Sequence, residues 1–175
     1  FPVNAGNQIY RLTRQLQGEL GDASEAGRLG TFPRTIVFQS LVDATVTASA
    51  VVHGLLSVLP AGSHELVLFD VNRYETIQGL LGPGPIEFLE RLRNAADQPF
   101  HITLIGNRNG STQEIAAFTR AALSHDVTVV DLPLAWPAGV FSLGHVAIPI
   151  PPDDPVYGLR PDPTATPRYA LGAFP

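Results

Sequence analysis

The chain of 175 residues is 45% hydrophobic and 15% charged, a composition typical of a folded soluble domain rather than a disordered segment. Its length fits one domain with a sizeable core. A formal net charge of −5 at pH 7 disfavours nucleic acid as a partner, because phosphate binding requires a clustered basic surface. The absence of cysteine excludes disulfides, thiolate metal sites and a cysteine nucleophile.

The apolar runs of the chain are short. The run at residues 127–135 is far below the ~20 residues that a helix needs to cross a bilayer, and no basic stretch followed by an apolar segment marks a signal peptide. We therefore expect a soluble protein with no membrane span, for which a cytoplasmic location is favoured. Because the chain starts at Phe1 and contains no methionine, we also expect a further portion of the protein upstream.

Patterns of helix and strand alternate along the chain. Apolar residues at helical spacing (Ile9, Leu12, Leu16 and Leu20) predict an amphipathic helix at residues 7–20. After it, the predicted strands are residues 35–38, 65–70, 101–105 and 127–132, and the predicted helices are residues 48–59, 85–95 and 112–123. The last of these helices is preceded by Ser111, which with Glu114 matches a capping box.

Apolar strands that are each followed by a helix favour an α/β fold, an open, mostly parallel sheet with helices on both faces. Residues 133–175 are rich in proline and lack helical periodicity, so we expect an irregular C-terminal tail. We interpret residues 1–175 as a single domain. It comprises a helix and loop (1–32), alternating strands and helices (33–132), and a Pro-rich histidine loop and tail (133–175).

Polar side chains follow the predicted strands where each strand ends. They are Asp43 after the first strand; Asp70, Asn72 and Arg73 after the second; Asn107 and Arg108 after the third; and His145 after the last. Ligands of open parallel sheets bind at the carboxyl ends of the strands, so we expect these side chains to share one edge of the sheet.

Two of these positions lie in motifs that resemble the α/β-hydrolase family. The stretch IVFQSLVDATVTASAVV resembles the acid turn of that family, with Asp43 at the position of the triad carboxylate. The stretch SLGHVAIPIPPDD resembles its histidine loop, with His145 at the position of the catalytic histidine. The order of acid before histidine agrees with the family, in which both follow the serine. The resemblance implies a serine hydrolase (esterase, lipase or thioesterase) acting on an ester, thioester or amide, with no cofactor and no metal.

The nucleophile elbow of that family, G-x-S-x-G, does not occur in the 175 residues. The resemblance thus implies that the serine and the oxyanion-hole loop lie in a missing N-terminal portion of the same protein, and that this chain alone is inactive. About a hundred residues separate Asp43 from His145, so Asp70 is the alternative acid. The other interpretation of Asp70 is a turn cap or an ion pair with Arg73.

Two other functions remain open. One is a non-enzymatic α/β module that binds a partner through the strand-end edge or the Pro-rich tail. The other is a phosphate- or nucleotide-binding domain that uses Gly106 to Thr112, where a Gly-containing turn precedes a predicted helix but neither G-x-G-x-x-G nor a Walker lysine is present. The remaining histidines have no metal-ligand spacing and are expected at the surface; they are His53, His64, His101 and His125.

Overall fold

The structure of the chain is a computed structural model that describes residues 3–43, 45–74, 82–95 and 97–142. All of these residues belong to one compact unit. In chain order the elements are α1 (Val3–Glu25), a 3-10 turn (Arg28–Thr31), β1 (Ile36–Ser40), α2 (Ala48–Val51) continued by a π-helical turn (Val52–Leu56), β2 (Glu65–Phe69), α3 (Pro83–Asn94), β3 (His101–Asn107), β4 (Glu114–Arg120) and β5 (Val127–Ala135).

The five strands form one open sheet in the order β1-β2-β3-β4-β5. β1, β2 and β3 run parallel, so that Phe38 pairs with Val67 and Val67 with Thr103. β4 and β5 are added to β3 as an antiparallel meander. The predicted α/β class and the open, mostly parallel sheet are confirmed.

The helices that build the core pack on one face of this sheet. The crossovers from β1 to β2 and from β2 to β3 advance in the same direction, and right-handed crossovers that advance in one direction place their helices on the same face. The main core joins Ala48, Val52, Leu56, Phe88, Leu89 and Leu92 of the helical segments to Leu66, Leu68, Ile102 and Leu104 of the sheet. The predicted cover of helices on both faces is therefore not found in the described part of the chain.

α1 confirms the first predicted helix and extends beyond it at both ends. Its apolar side chains Ile9, Leu12 and Leu16 are exposed. Gln17 lies close to Gly54 of the π-helical turn. α1 thus touches the outer side of the helical layer and leaves its apolar stripe uncovered.

The helices that follow β1 and β2 are present with altered ends. Thr47 caps α2, because its Oγ1 accepts a hydrogen bond from the amide of Ala50 at 3.3 Å. The predicted helix at residues 48–59 widens into the π-helical turn and ends at Leu56. α3 starts at Pro83 rather than at Pro85, which places a proline at the first helical position, where no amide donor is needed.

Residues 112–123, predicted as a helix, contain β4 instead. Gly106 pairs with Ala116 and Ile102 with Arg120, and β5 pairs along the other side of β4. Ser111 caps no helix: its amide and its hydroxyl both donate to Asn109 Oδ1, at 2.9 and 2.7 Å, in the turn between β3 and β4. Pairing with a strand on each side outweighs the helical propensity of the alanines, because strand stability depends on neighbours distant in sequence.

Arg120 joins the end of β4 to the end of α3. Its guanidinium donates to the carbonyl of Arg93 at 2.8 Å and to that of Leu92 at 2.7 Å. These carbonyls belong to the last helical turn, where a cation is favourable. Burial lowers the pKa of Arg120, and the negative charge of Asp97 opposes that shift.

β5 extends to Ala135, so the predicted irregular tail does not begin at residue 133. Trp136 follows the strand as a buried side chain, and its amide donates to the carbonyl of Gln113 at 2.9 Å. The tail from residue 143 onward lies outside the described residues, and the prediction of a single domain for residues 1–175 stays a prediction.

Candidate functional site at the carboxyl edge of the sheet

The three parallel strands end at the same edge of the sheet, and each has a polar residue at or just after its end. Asp43 follows β1, Asp70 follows β2, and Asn107 is the last residue of β3. The expectation that these positions share one edge is therefore confirmed for these residues.

Asp43 lies in a tight turn directly after β1. The turn is closed by the amide of Asp43, which donates to the carbonyl of Ser40 at 3.3 Å. Asp43 Oδ1 in turn accepts hydrogen bonds from the amides of Thr45 at 2.8 Å and Val46 at 3.0 Å. Two main-chain amides thus fix the orientation of the carboxylate.

A cavity of about 490 Å³ lies next to Asp43. Its walls come from the turn after β1, from the start of α2 and from the first turns of α3, and they include the apolar side chains of Leu41, Ala48 and Phe88. A carboxylate thus borders an apolar pocket at the edge where ligands of parallel sheets bind.

Asp70 is engaged by Arg73. Oδ1 accepts from Arg73 NH2 at 2.8 Å, and Oδ2 accepts from Arg73 Nε at 2.9 Å, which makes the pair bidentate. Oδ1 also accepts from the amide of Val71 at 2.8 Å. Only 4% of the side chain of Asp70 is exposed. The ion pair with Arg73, one of the two structural interpretations of Asp70, is confirmed.

Asn107 and Asn72 connect the ends of β3 and β2. Asn107 Oδ1 accepts from the amide of Arg73 at 2.6 Å, and its Nδ2 donates to Asn72 Oδ1 at 3.0 Å and to the carbonyl of Thr112 at 2.7 Å. Arg108, which follows Asn107, turns away to an exposed ion pair with Asp131 at 2.7 Å. The buried amides, rather than the exposed arginine, therefore hold the edge together.

Asn72 also binds the chain just beyond β5. Its main-chain amide donates to the carbonyl of Phe141 at 2.6 Å, and its Nδ2 donates to the carbonyl of Val140 at 2.9 Å. This contact spans 68 positions in the sequence, and no local pattern pointed to it.

His145 lies outside the described residues. The predicted hydrogen bond between Asp43 and His145 therefore stays a prediction. Groups of histidine, aspartate and glutamate that could hold a metal ion are absent from residues 3–142 as far as these are described.

The prediction of a surface position is wrong for His64. Only 1% of this residue is exposed, and neither ring nitrogen has a hydrogen-bond partner among the described residues. The ring makes an edge contact with Phe32 at 6.0 Å between centroids. His64 directly precedes β2 and its side chain lies in the core. The packing of its ring therefore outweighs the hydration of its two nitrogens. His53 and His125 are exposed as expected.

A larger cavity lies away from this edge. It has a volume of about 700 Å³, opens at the amino ends of the parallel strands and is bordered by Glu65, His101 and Thr103. The carboxylate of Glu65 accepts a hydrogen bond from Thr103 Oγ1 at 2.6 Å, so this acid already has a local partner. Ligands of open parallel sheets bind at the opposite edge, so we place the candidate site beside Asp43.

The phosphate-loop alternative required a helix that starts at Ser111. The structure has the strand β4 there, and Gly106 to Thr112 form the end of β3 and a hairpin turn. A hairpin does not supply the aligned amides of a helix N-terminus, so the basis for anion binding is lost.

No helix in the described ranges has the length and apolar character required to cross a membrane. Comparison with known proteins finds no matching family model, no similar curated protein and no similar solved structure.

Proposed function

We propose that this chain is the acid- and histidine-bearing part of a serine hydrolase of the α/β-hydrolase type. Its substrate is an ester, thioester or amide with an apolar acyl group. Asp43 is the orienting acid and His145 the general base. Because G-x-S-x-G is absent from the 175 residues, the nucleophile is supplied by another portion of the same protein.

The observation that carries this proposal is the setting of Asp43. The carboxylate follows a parallel strand at the ligand-binding edge of the sheet, where two turn amides orient it. An acid that assists a histidine must be held in place, and the two turn amides hold the carboxylate of Asp43.

The chemistry follows from these roles. The imidazole of His145 accepts the proton of the serine hydroxyl as the serine attacks the carbonyl carbon, and it then returns the proton to the leaving group. Asp43 fixes the tautomer of the imidazole and stabilises the imidazolium. The acyl-enzyme is hydrolysed by water in a second round of the same transfers, and neither step needs a metal or an organic cofactor.

The apolar walls of the cavity beside Asp43 suit the acyl part of such a substrate. Leu41, Ala48 and Phe88 border the cavity on the side of the helical layer. A volume of about 490 Å³ falls within the range of small-molecule sites.

The first experiment is fluorophosphonate labelling of the full-length gene product, with the labelled peptide mapped by mass spectrometry. We expect one labelled serine, outside the 175 residues. A folded full-length protein that takes up no label contradicts the proposal.

The second experiment replaces the proposed base in the same full-length protein. We expect His145→Ala to abolish turnover of a p-nitrophenyl ester while the thermal unfolding midpoint stays unchanged, because the proposed role of the histidine is in the chemistry. His125→Ala is the matched control, since His125 is exposed in the turn between β4 and β5. Retained turnover in His145→Ala counts against the assignment.

A second candidate is a non-enzymatic binding module, and one observation favours it. The edge strand β1 presents Ile36 and Phe38 to solvent, with exposed fractions of 47% and 64%. Exposed apolar side chains on the edge strand of the described sheet suit contact with another polypeptide. A folded full-length protein without a reactive serine moves the assignment to this module.

A further inference from the structure

The helical layer covers only part of the sheet. α2 and α3 lie in the crossovers between the parallel strands, whereas β3, β4 and β5 are joined by two turns that contain no helix. On the face that carries the helices, Leu104 of β3 pairs with Phe118 of β4, which pairs with Val129 of β5. Leu104 is buried in the main core, Phe118 is partly buried against it, and Val129 is 52% exposed. The cover of this face therefore ends beside α3, at the level of β4.

A cavity of about 320 Å³ lies in the corner between the flank of α3 and this part of the sheet. We call it the flank cavity. Most of the side chains that border it are apolar: Leu89 and Leu92 of α3, Ile102 and Leu104 of β3, Phe118 of β4 and Val127 of β5. The others are Arg93 and Arg120, and no acid is among the described residues that border it. An apolar cavity whose charged groups are all cationic is complementary to a ligand with an apolar body and an anionic group.

Arg120 supplies a buried cation at the flank cavity. It is 7% exposed, and in the sheet it pairs with Ile102 and Val127, which border the same cavity. Two N–H groups of its guanidinium donate to the carbonyls of Leu92 and Arg93. The remaining N–H groups have no partner within the described ranges, and Arg120 takes part in no ion pair there. Because an arginine keeps its charge when it is buried, an anion that reaches this guanidinium gains charge-assisted hydrogen bonds.

Arg93 adds a second positive charge at the rim of the flank cavity. It is exposed, and among the described residues it has no ion-pair partner. Arg91, on the same helix, pairs instead with Glu87 at 3.7 Å and borders the cavity beside Asp43. The chain as a whole is acidic, with a formal net charge of −5. Two arginines without acidic partners at one apolar cavity are therefore not a consequence of composition.

We propose that the flank cavity binds a small monocarboxylate with an alkyl or aromatic body. Its carboxylate contacts the guanidinium of Arg120 and is attracted by Arg93, and its apolar body packs against Leu89, Leu104 and Phe118. A carboxylate is the anion of choice because its two oxygens match the planar arrangement of guanidinium N–H groups. The volume is at the lower end of the range of small-molecule sites, which suits a short acyl chain or a single ring. The inference does not rest on the proposed hydrolase function.

The first measurement is isothermal titration calorimetry of the full-length gene product with octanoate and with octanol, an uncharged ligand of the same chain length. We expect octanoate to bind and octanol to bind at least about tenfold more weakly, because the alcohol lacks the charge-assisted hydrogen bonds. If octanoate does not bind, or if the two ligands bind with equal affinity, the proposal is overturned.

Two variants of β5 then locate the ligand. Val127→Glu and Val130→Glu both replace an exposed valine by an acid. Val127 borders the flank cavity and pairs with Arg120, whereas Val130 lies on the opposite face of the sheet. The new carboxylate at position 127 competes for Arg120, so we expect the affinity for octanoate to fall at least about tenfold in Val127→Glu and to stay unchanged in Val130→Glu. Equal effects of the two variants overturn the proposal.

A pair of exposed positions on α3 serves if Val127→Glu does not fold. We expect Arg93→Gln to lower the affinity for octanoate about threefold to fivefold and Arg91→Gln to leave it unchanged, since only Arg93 borders the flank cavity. The reverse result places octanoate in the cavity beside Asp43 and overturns the proposal. Sedimentation tests the competing occupant, a second copy of the chain. A dimer that Val127→Glu dissociates and octanoate does not affect identifies this face as an interface between copies, which also overturns the proposal.

Discussion

Two acids at neighbouring strand ends allow a direct test of which carboxylate orients the histidine. The variants Asp43→Asn and Asp70→Asn make the same chemical change, loss of one negative charge with little change in shape. The surroundings of the two acids predict opposite outcomes for stability and for activity.

The free energy of unfolding falls mainly in Asp70→Asn. The amide nitrogen of the new side chain faces a guanidinium that can only donate, and Arg73 loses its bidentate contact with a carboxylate that is 4% exposed. Removing one partner of a buried pair costs about 3–5 kcal/mol. A quarter of the side chain of Arg73 is exposed, so water compensates part of the loss, and we expect about 2–3 kcal/mol. For a chain of this length that corresponds to a fall in the unfolding midpoint of roughly 4–12 °C.

Asp43→Asn changes stability little. The side-chain oxygen of asparagine accepts hydrogen bonds from the amides of Thr45 and Val46 as aspartate does, and both residues are favourable in such turns. We expect a change within about 0.5 kcal/mol. Activity behaves in the opposite way: an asparagine cannot hold the required tautomer of the histidine, which lowers kcat by about 10⁴-fold in enzymes with a serine triad.

The assays are differential scanning fluorimetry and p-nitrophenyl ester turnover on the full-length gene product. We expect Asp70→Asn to unfold at a lower temperature and to keep kcat within about tenfold of the parent, since Asp70 is engaged by Arg73 and takes no part in the proposed chemistry. If kcat falls by about 10⁴-fold in Asp70→Asn and stays normal in Asp43→Asn, the orienting acid is Asp70, and the assignment of Asp43 is refuted. Equal unfolding midpoints of the two variants refute the assigned strength of the buried ion pair.

Two further predictions concern buried polar groups away from this edge. His64→Phe removes two ring nitrogens that have no hydrogen-bond partner among the described residues, and it keeps the ring contact with Phe32. We therefore expect the free energy of unfolding in urea to rise by about 1 kcal/mol; a fall indicates that the nitrogens bind a partner. Arg120→Met removes the two hydrogen bonds to the last turn of α3. We expect the free energy of unfolding to fall by about 2 kcal/mol in the same assay, because the loss of these hydrogen bonds outweighs the gain from no longer burying a charge. An unchanged midpoint of urea unfolding in Arg120→Met contradicts this expectation.

The parts of the fold that follow from local pattern were predictable. The apolar strands β1, β2 and β3 and the helical periodicity of α1 and α3 are visible in the sequence. The error at residues 112–123 shows the limit of such patterns. Ser111 and Glu114 satisfy the local rule for a helix start, but whether Ala116 and Ala117 lie in a helix or a strand depends on β3 and β5 on either side of them.

The same limit applies to the candidate site. The pair of Asp70 and Arg73 was predictable because its members are three residues apart and directly follow an apolar strand. The bond from Asn72 to Val140 was not, since the residues between them must first fold into three strands and a helix before the two groups meet. Long-range hydrogen bonds between an amide and a main-chain carbonyl leave no periodicity in the sequence.

The hydrogen bonds of Asp43 and Asp70 bear on which of the two carboxylates can pair with the proposed catalytic histidine. Asp70 is bound by two nitrogens of the Arg73 guanidinium. A histidine imidazolium must therefore displace that cation before it can pair with Asp70. Asp43 is oriented by the amides of Thr45 and Val46 in the turn after β1. An acid that serves a transient imidazolium must be fixed in position, and under the proposed function the two turn amides do this for Asp43.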